Sequence, residues 1–168
     1  MPMAQKINEG TYLTFALAQE EYGIEMHRVL EIQGTSAIEP LADGSPLVRG
    51  ILSGRGKRLP VLDLRGCLGK AQGDLPRQNC IVTVAVRGWE GKLFHLALLV
   101  DGVREVVQVL NQDLEEAPEM EEDARAEFLK GLAQCQERLV ILLDLDRLAR
   151  LEELEEVKFE QGGSHEIA

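Results

Sequence analysis

Apolar and polar positions along this chain alternate with a period of two far more often than with a helical period. Residues 11–17 (TYLTFAL) interleave Tyr12, Thr14 and Ala16 with Leu13, Phe15 and Leu17, the alternation of a strand with two unlike faces. A polar turn at Gln19 and Glu20 leads to a second run, 21–25. A helical turn at 26–28 separates it from a third, 29–32. Gly34 and Pro40 bracket a short extended piece at 37–39, and 42–46 (ADGSP) reads as a loop. Strands are then expected at 48–52 and 59–64, joined by Ser53-Gly54-Arg55-Gly56. Pro60 requires an edge or a strand start, because proline cannot donate to a ladder.

A polar linker at 69–79 divides the chain near its middle. Beyond it, 80–86 (CIVTVAV) and 92–100 flank a hairpin connection, Gly88-Trp89-Glu90-Gly91. Asp101-Gly102 turns the chain into 103–110 (VREVVQVL). Residues 111–128 are acidic and mix loop with short helix, and 130–135 and 138–144 form a hairpin around Gln136-Glu137. Leu145, Leu148, Leu151 and Leu154 recur every third residue, which predicts an amphipathic helix over 145–157. The pattern totals about nine or ten short strands and one closing helix, a mainly β chain of barrels or sandwiches rather than βαβ units. One domain over 11–157 is expected. Its halves, 11–68 and 80–157, are each too small for a generous core and must pack together, the first strand crossing over, and 158–168 reads as a flexible tail. No short-period repeat is visible.

Composition narrows the function. The chain has 168 residues and a net charge of −11, which argues against nonspecific binding to nucleic acid or anionic lipid. Residues 1–110 hold 12 acidic and 12 basic side chains and 111–168 hold 17 and 6, so the whole excess lies in the last third, chiefly at 113–123 and 152–160. Between Arg49 and Lys70, six basic residues face one acid, Asp63; a basic patch on an acidic protein favours an anionic protein partner. No apolar run approaches the ~18–20 residues of a membrane helix, the start is polar, and three cysteines without a CxxC read as free thiols, so a cytoplasmic place is expected.

Candidate chemistry fails its tests. Gly50–Lys57 (GILSGRGK) lacks the spacing and the Ser or Thr of a phosphate loop, and Gly54-Arg55-Gly56 lacks the third glycine of a dinucleotide loop. His27, His95 and His165 have no ligand at i+3 or i+4 and no nearby cysteine. Asp144-Leu145-Asp146 has too few oxygens for a calcium loop and suits a helix N-cap. No serine sits in a nucleophile motif. No catalytic, metal or cofactor site is expected, so the reading is not an enzyme.

Several segments, in order and spacing, resemble the CheW-like family of bacterial chemotaxis coupling proteins. They are Thr14-Phe15, then Glu20-Glu21-Tyr22-Gly23-Ile24-Glu25, Val29-x-Glu31-Ile32 and Val48-x-Gly50-Ile51. Arg55-Gly56, Pro60-Val61-Leu62-Asp63-Leu64-Arg65, Leu99-Val100-Asp101-Gly102-Val103 and Arg138 to Asp146 follow, so the likeness spans about 11–152. It implies two five-stranded SH3-like β-barrel subdomains sharing a core, and a scaffold that couples chemoreceptor tips to the regulatory domain of a CheA-type histidine kinase in arrays. By motif, Val29, Glu31 and Gly50 would face the kinase, and Arg55, Ile81 and Val103 the receptor. The family's usual Asn-Leu-Arg-Gly turn is Ser53-Gly54-Arg55-Gly56 here, and Arg58 stands where an apolar residue is expected. The chain ends with no room for a receiver or kinase core, so a stand-alone coupler is expected. A coupler of a parallel motility or developmental pathway, or a ligand- or RNA-binding barrel, is the alternative.

Overall fold

The computed structural model describes residues 9–35, 38–40, 47–54, 57–70, 80–116, 126–151 and 154. Before the midpoint the strands are β1 (Gly10–Leu17), β2 (Glu20–Glu25), β3 (Val29–Gln33), β4 (Ile38–Pro40), β5 (Val48–Gly54) and β6 (Lys57–Asp63), followed by one helical turn, α1 (Leu64–Cys67). After it come β7 (Ile81–Arg87), β8 (Leu93–Leu99), β9 (Gly102–Val109), β10 (Leu114–Glu115), β11 (Leu129–Cys135) and β12 (Arg138–Leu143), followed by α2 (Leu145–Leu148). Each alternating run of the sequence is a strand.

The strands form two curled sheets, ordered β10-β11-β12-β2-β1-β9 and β4-β5-β6-β8-β7-β3. Each has five strands of five or more residues and one short edge strand, β10 or β4. The orders are the same if β1–β6 are matched with β7–β12. The parallel pair β12–β2 matches β6–β8, and the bulge between Leu129 and Gly131 matches that between Val48 and Gly50. The chain is thus a tandem repeat in which each half hands its first hairpin to the other half's sheet. The linker at 69–79 separates repeats, not sheets: β7 and β8 lie beside β3–β6, and β1 and β2 beside β9–β12. The exchange places both members of each parallel pair in different halves.

Burial follows the sheets. Tyr12, Val109, Ala133, Cys135, Val140 and Leu142 fill the concave side of the first sheet. Leu52, Leu59, Val61, Cys80, Ile81, Ala97 and Leu99 fill that of the second. The opposite faces meet in a larger layer that includes Phe15, Tyr22, Ile24, Leu62, Val84, Leu96, Leu98, Ile141 and Leu143. Residue alternation therefore sends every second side chain to a barrel interior and the rest to the shared layer.

Each repeat ends in the same device. Asp63 caps α1 by accepting from the Arg65 N–H at 3.0 Å, and Asp144 caps α2 by accepting from the Asp146 and Arg147 N–H groups at 3.1 and 3.3 Å. Asp63 is fully buried, and Arg49 (2.7 Å) and Arg65 (3.0 Å) satisfy its carboxylate.

The helix expected over 145–157 is corrected: α2 ends at Leu148, and Ala149 and Arg150 form a turn. Leu145, Leu148 and Leu154 are buried and Leu151 is half-buried against the shared layer. Their spacing reports burial against one layer, which continues beyond the end of α2 at Leu148. Residues 152, 153 and 155–157, the tail 158–168 and most of the acidic tract at 113–123 lie outside the described residues.

The exchange of hairpins makes the halves interdependent. Cutting the chain within 71–79 should leave each piece alone without cooperative unfolding, while mixing restores the native circular dichroism spectrum and a single transition. A piece that folds alone would contradict the topology.

Candidate partner-binding edges

Two strands end the sheets as long edges, β3 and β9, and they are repeat mates. On β3, Val29 pairs with Val84 and Glu31 with Thr83, leaving Leu30 in a bulge. On β9, Val103 pairs with Phe15 and Glu105 with Thr14, leaving Arg104 in a bulge. A bulge adds twist and turns an edge away from indiscriminate pairing. It also pushes Leu30 outward: Leu30 is 47% and Ile32 37% exposed. Val29 is half-buried against the shared layer, and Glu31 is exposed. The β3 edge therefore offers two apolar side chains flanking a carboxylate, beside a half-buried valine. On β9, Val103 is half-buried against the same layer and Val106 is 53% exposed.

The remaining expected site residues divide sharply. Ile81 is fully buried in the second barrel, so its side chain is not itself exposed. Gly50 is buried opposite β4, and a Cβ there would run into the Glu39 carbonyl oxygen and come within 2.8 Å of Ile38 Cγ2. Close strand approach accounts for the glycine at this position of the β4–β5 pair. Arg55 lies outside the described residues, in the two-residue connection between the paired positions Gly54 and Lys57.

Among the described residues, the cations of the basic patch have carboxylate neighbours within the chain. Arg49 and Arg65 are taken by Asp63, and Lys70 lies 2.7 Å from Glu20. Exposed Arg58 stands 3.8 Å from Glu39. Tertiary pairing, invisible in a linear count of charges, takes Arg49, Arg65 and Lys70 out of the expected anion-attracting surface, while Arg55 and the Lys57 side chain lie outside the described residues. Burial pushes the Cys80 and Cys135 thiols up, which suits inert interior residues.

A pair that the sequence did not bring together anchors the β3 edge. Arg28, immediately before Val29, donates Nη1 and Nη2 to the two carboxylate oxygens of Asp146 at 2.7 and 3.0 Å. The Arg87 N–H donates to the same carboxylate at 2.8 Å. Burial pushes the Asp146 carboxyl up, but the hydrogen bonds from Arg28 and Arg87 outweigh it and hold it below the usual carboxylate value. Strand periodicity carried no trace of this pair, because its members are 118 residues apart.

Among the described residues there is no His/Cys/Asp/Glu group able to hold a metal, and no helix long and apolar enough to cross a membrane. The profile of the CheW-like domain matches residues 11–153. The chain belongs to the CheW-like domain family. The chemotaxis protein CheW of Klebsiella aerogenes is 32% identical over 143 residues, covering 85% of this chain and 83% of its own. The probable CheW of Rhizobium etli is 26% identical, covering 86% and 91%. The crystal structure of the CheW scaffolding protein of Thermoanaerobacter tengcongensis superimposes with a TM-score of 0.73 at 25% identity, covering 86% of this chain and 95% of that one. CheW-like membership makes this a non-enzymatic scaffold of chemotaxis signalling with two β subdomains.

The lowered Asp146 carboxyl has a pH consequence. A carboxylate held down in the native state stabilises it fully above the ordinary value of 3.8. That contribution fades as pH falls below it, since the unfolded chain takes up the proton first. Urea unfolding of Asp146→Asn should give an unfolding free energy below the parent's at neutral pH, by about 1.5–3 kcal/mol for hydrogen bonds to a charged group. The gap should narrow below about pH 4; a gap independent of pH would exclude the ionised carboxylate as its source.

Proposed function

We propose that this CheW-like scaffold couples chemoreceptor cytoplasmic tips to the regulatory domain of a CheA-type histidine kinase at membrane receptor arrays. The observation that carries the reading is the β3 edge, where Leu30 and Ile32 stand exposed on either side of Glu31, next to Val29. Apolar side chains give an anchor whose burial drives association, and a carboxylate between them fixes register against a cationic or donor-bearing partner edge. Val29, half in the shared layer, links that edge to the interior. The barrel interiors are filled by side chains of this chain, which favours action through the outer edges over ligand storage inside.

The receptor side of the reading rests on Val103, at the start of β9, and on Arg55, between β5 and β6. The planar guanidinium of Arg55 suits carboxylates on a helical receptor tip in a way lysine would not reproduce. Ile81 acts under that surface by holding β7, and Gly50 acts by keeping β4 against β5. Coupling then needs no bond making. A partner that prefers one arrangement of the bound assembly biases the kinase by its differential affinity alone.

Two measurements test the two faces separately. Val29→Asp with Glu31→Lys should weaken binding of a kinase regulatory domain by about tenfold or more in titration calorimetry, with the fold verified by circular dichroism. Unchanged affinity would remove β3 from the kinase-facing surface. Arg55→Glu should leave thermal unfolding intact and reduce capture of receptor cytoplasmic fragments in pull-down. Undiminished capture would remove Arg55 from the receptor-facing surface.

A further inference from the structure

The repeat brings two polar knots to matching places, and their charges are reversed. At the first, the chain crosses from β2 to β3, leaving one sheet for the other. Arg28 in that crossover donates to the Ala85 carbonyl at 3.3 Å and, through both Nη atoms, to Asp146 in α2. The Asp146 carboxylate also accepts from the Arg87 N–H, two residues beyond Ala85. At the second, the chain crosses back from β8 to β9. Asp101 in that crossover donates its own N–H to the Ala16 carbonyl at 3.1 Å, and its carboxylate accepts from the Ala18 N–H at 2.7 Å, two residues beyond Ala16. Its charge partner, at 3.9 Å, is Arg65 in α1. Ala16 and Ala85, Ala18 and Arg87, and Arg65 and Asp146 are repeat mates by strand register. In one knot the crossover brings the cation and the helix the anion; in the other the roles are exchanged.

Each knot stands at the root of one edge. Val29 directly follows Arg28, and Val103 is two residues beyond Asp101. We propose that Asp146 and Asp101 are positioning residues for separate partners: the Arg28–Asp146 knot sets the β3 edge for the kinase domain, and the Arg65–Asp101 knot sets the β9 edge for the receptor tip. The assignment of partners to edges rests on the coupling function proposed above. The physical content is that each carboxylate joins a crossover, the end of a hairpin strand and a helix from three places in the chain. Removing its charge frees the first residues of one edge while leaving the other knot whole. Hydrogen bonds to an ionised carboxylate are the stronger kind, with Asp146 half-buried and Asp101 more exposed, and distant sites with no shared partner act independently.

The experiment crosses two variants with two partners, in the full chain. Asp146→Asn should lower the affinity for a kinase regulatory domain about tenfold and leave receptor-fragment capture unchanged; Asp101→Asn should do the reverse. The conservative Asp146→Glu should recover part of the kinase affinity lost in Asp146→Asn. Amide NMR shifts of 29–33 should move in the first variant and those of 103–109 in the second. Loss of both affinities together, in step with thermal stability, would overturn the proposal by reducing the knots to general structure. So would Asp146→Asn with unchanged kinase affinity while Val29→Asp with Glu31→Lys loses it. If that β3 double variant also binds normally, the β3 reading itself fails, and the positioning role falls with it. Should Asp146→Asn fail to fold, Arg28→Lys, which keeps the charge but not the two-pronged contact, is read by the same outcomes.

Discussion

The apolar layer between the two sheets is the constraint on which everything else here depends. Neither barrel interior, with six or seven buried core residues, is large enough to hold a domain of this size. The layer that joins the sheets is the larger body of buried side chains. Because β1 and β2 supply Phe15, Tyr22 and Ile24 to it from one sheet, and β7 and β8 supply Val84, Leu96 and Leu98 from the other, each half of the chain completes both sheets. Intertwining of this kind makes the two barrels one cooperative unit and fixes their mutual geometry. The β3 and β9 edges are held at a set mutual geometry because Val29 and Val103 both pack on this one layer.

The same repeat also explains how one architecture offers two unlike surfaces. β3 and β9 have the same register and the same bulge, but the bulged residue is Leu30 on one and Arg104 on the other. Val29 and Val103 occupy matching half-buried positions against the shared layer, and Glu31 and Glu105 matching positions beyond the bulge. On β9 the carboxylate is engaged, Glu105 pairing with Arg138 of β12. On β3 the exposed side chains are Leu30, Glu31 and Ile32. Two edges of equal backbone form therefore differ in polarity and in ion pairing, a route to distinct partners without distinct folds.

Among the described residues, several charges are paired within the molecule. The buried Asp63 carboxylate with Arg49 and Arg65 takes up part of what the sequence presents as a basic surface, and Lys70 with Glu20 takes more. Lys130 with Glu25 ties β11 to β2 at 3.0 Å. In a β protein with so few aromatic residues, such pairs set register and sheet orientation where ring packing does not, and their partial burial strengthens them relative to surface pairs.

Legibility in the sequence followed the range of the interaction. Period-two alternation marked the strands because it is local and every strand has two unlike faces, and Asp144-Leu145-Asp146 marked a cap for the same reason, whereas the matching cap at Asp63 emerged only in the structure. Leucine spacing at 145–154 overran α2, because leucines buried against one layer past Leu148 keep the same three-residue beat as a helix. The hairpin turns at Ala18-Gln19 and Gln136-Glu137 carry positive φ at both residues without any glycine, so sheet register, not turn chemistry, dictates them. The resemblance in the motifs placed Val29 and Glu31 on a real edge, yet it could not separate them from buried Gly50 and Ile81. Sequence by itself determined strand order along the chain, the apolar alternation and the family. Tertiary structure alone decided which half completes which sheet, which charges cancel, and which motif residues reach solvent, since each depends on contacts between residues scores of positions apart, where local pattern has no memory.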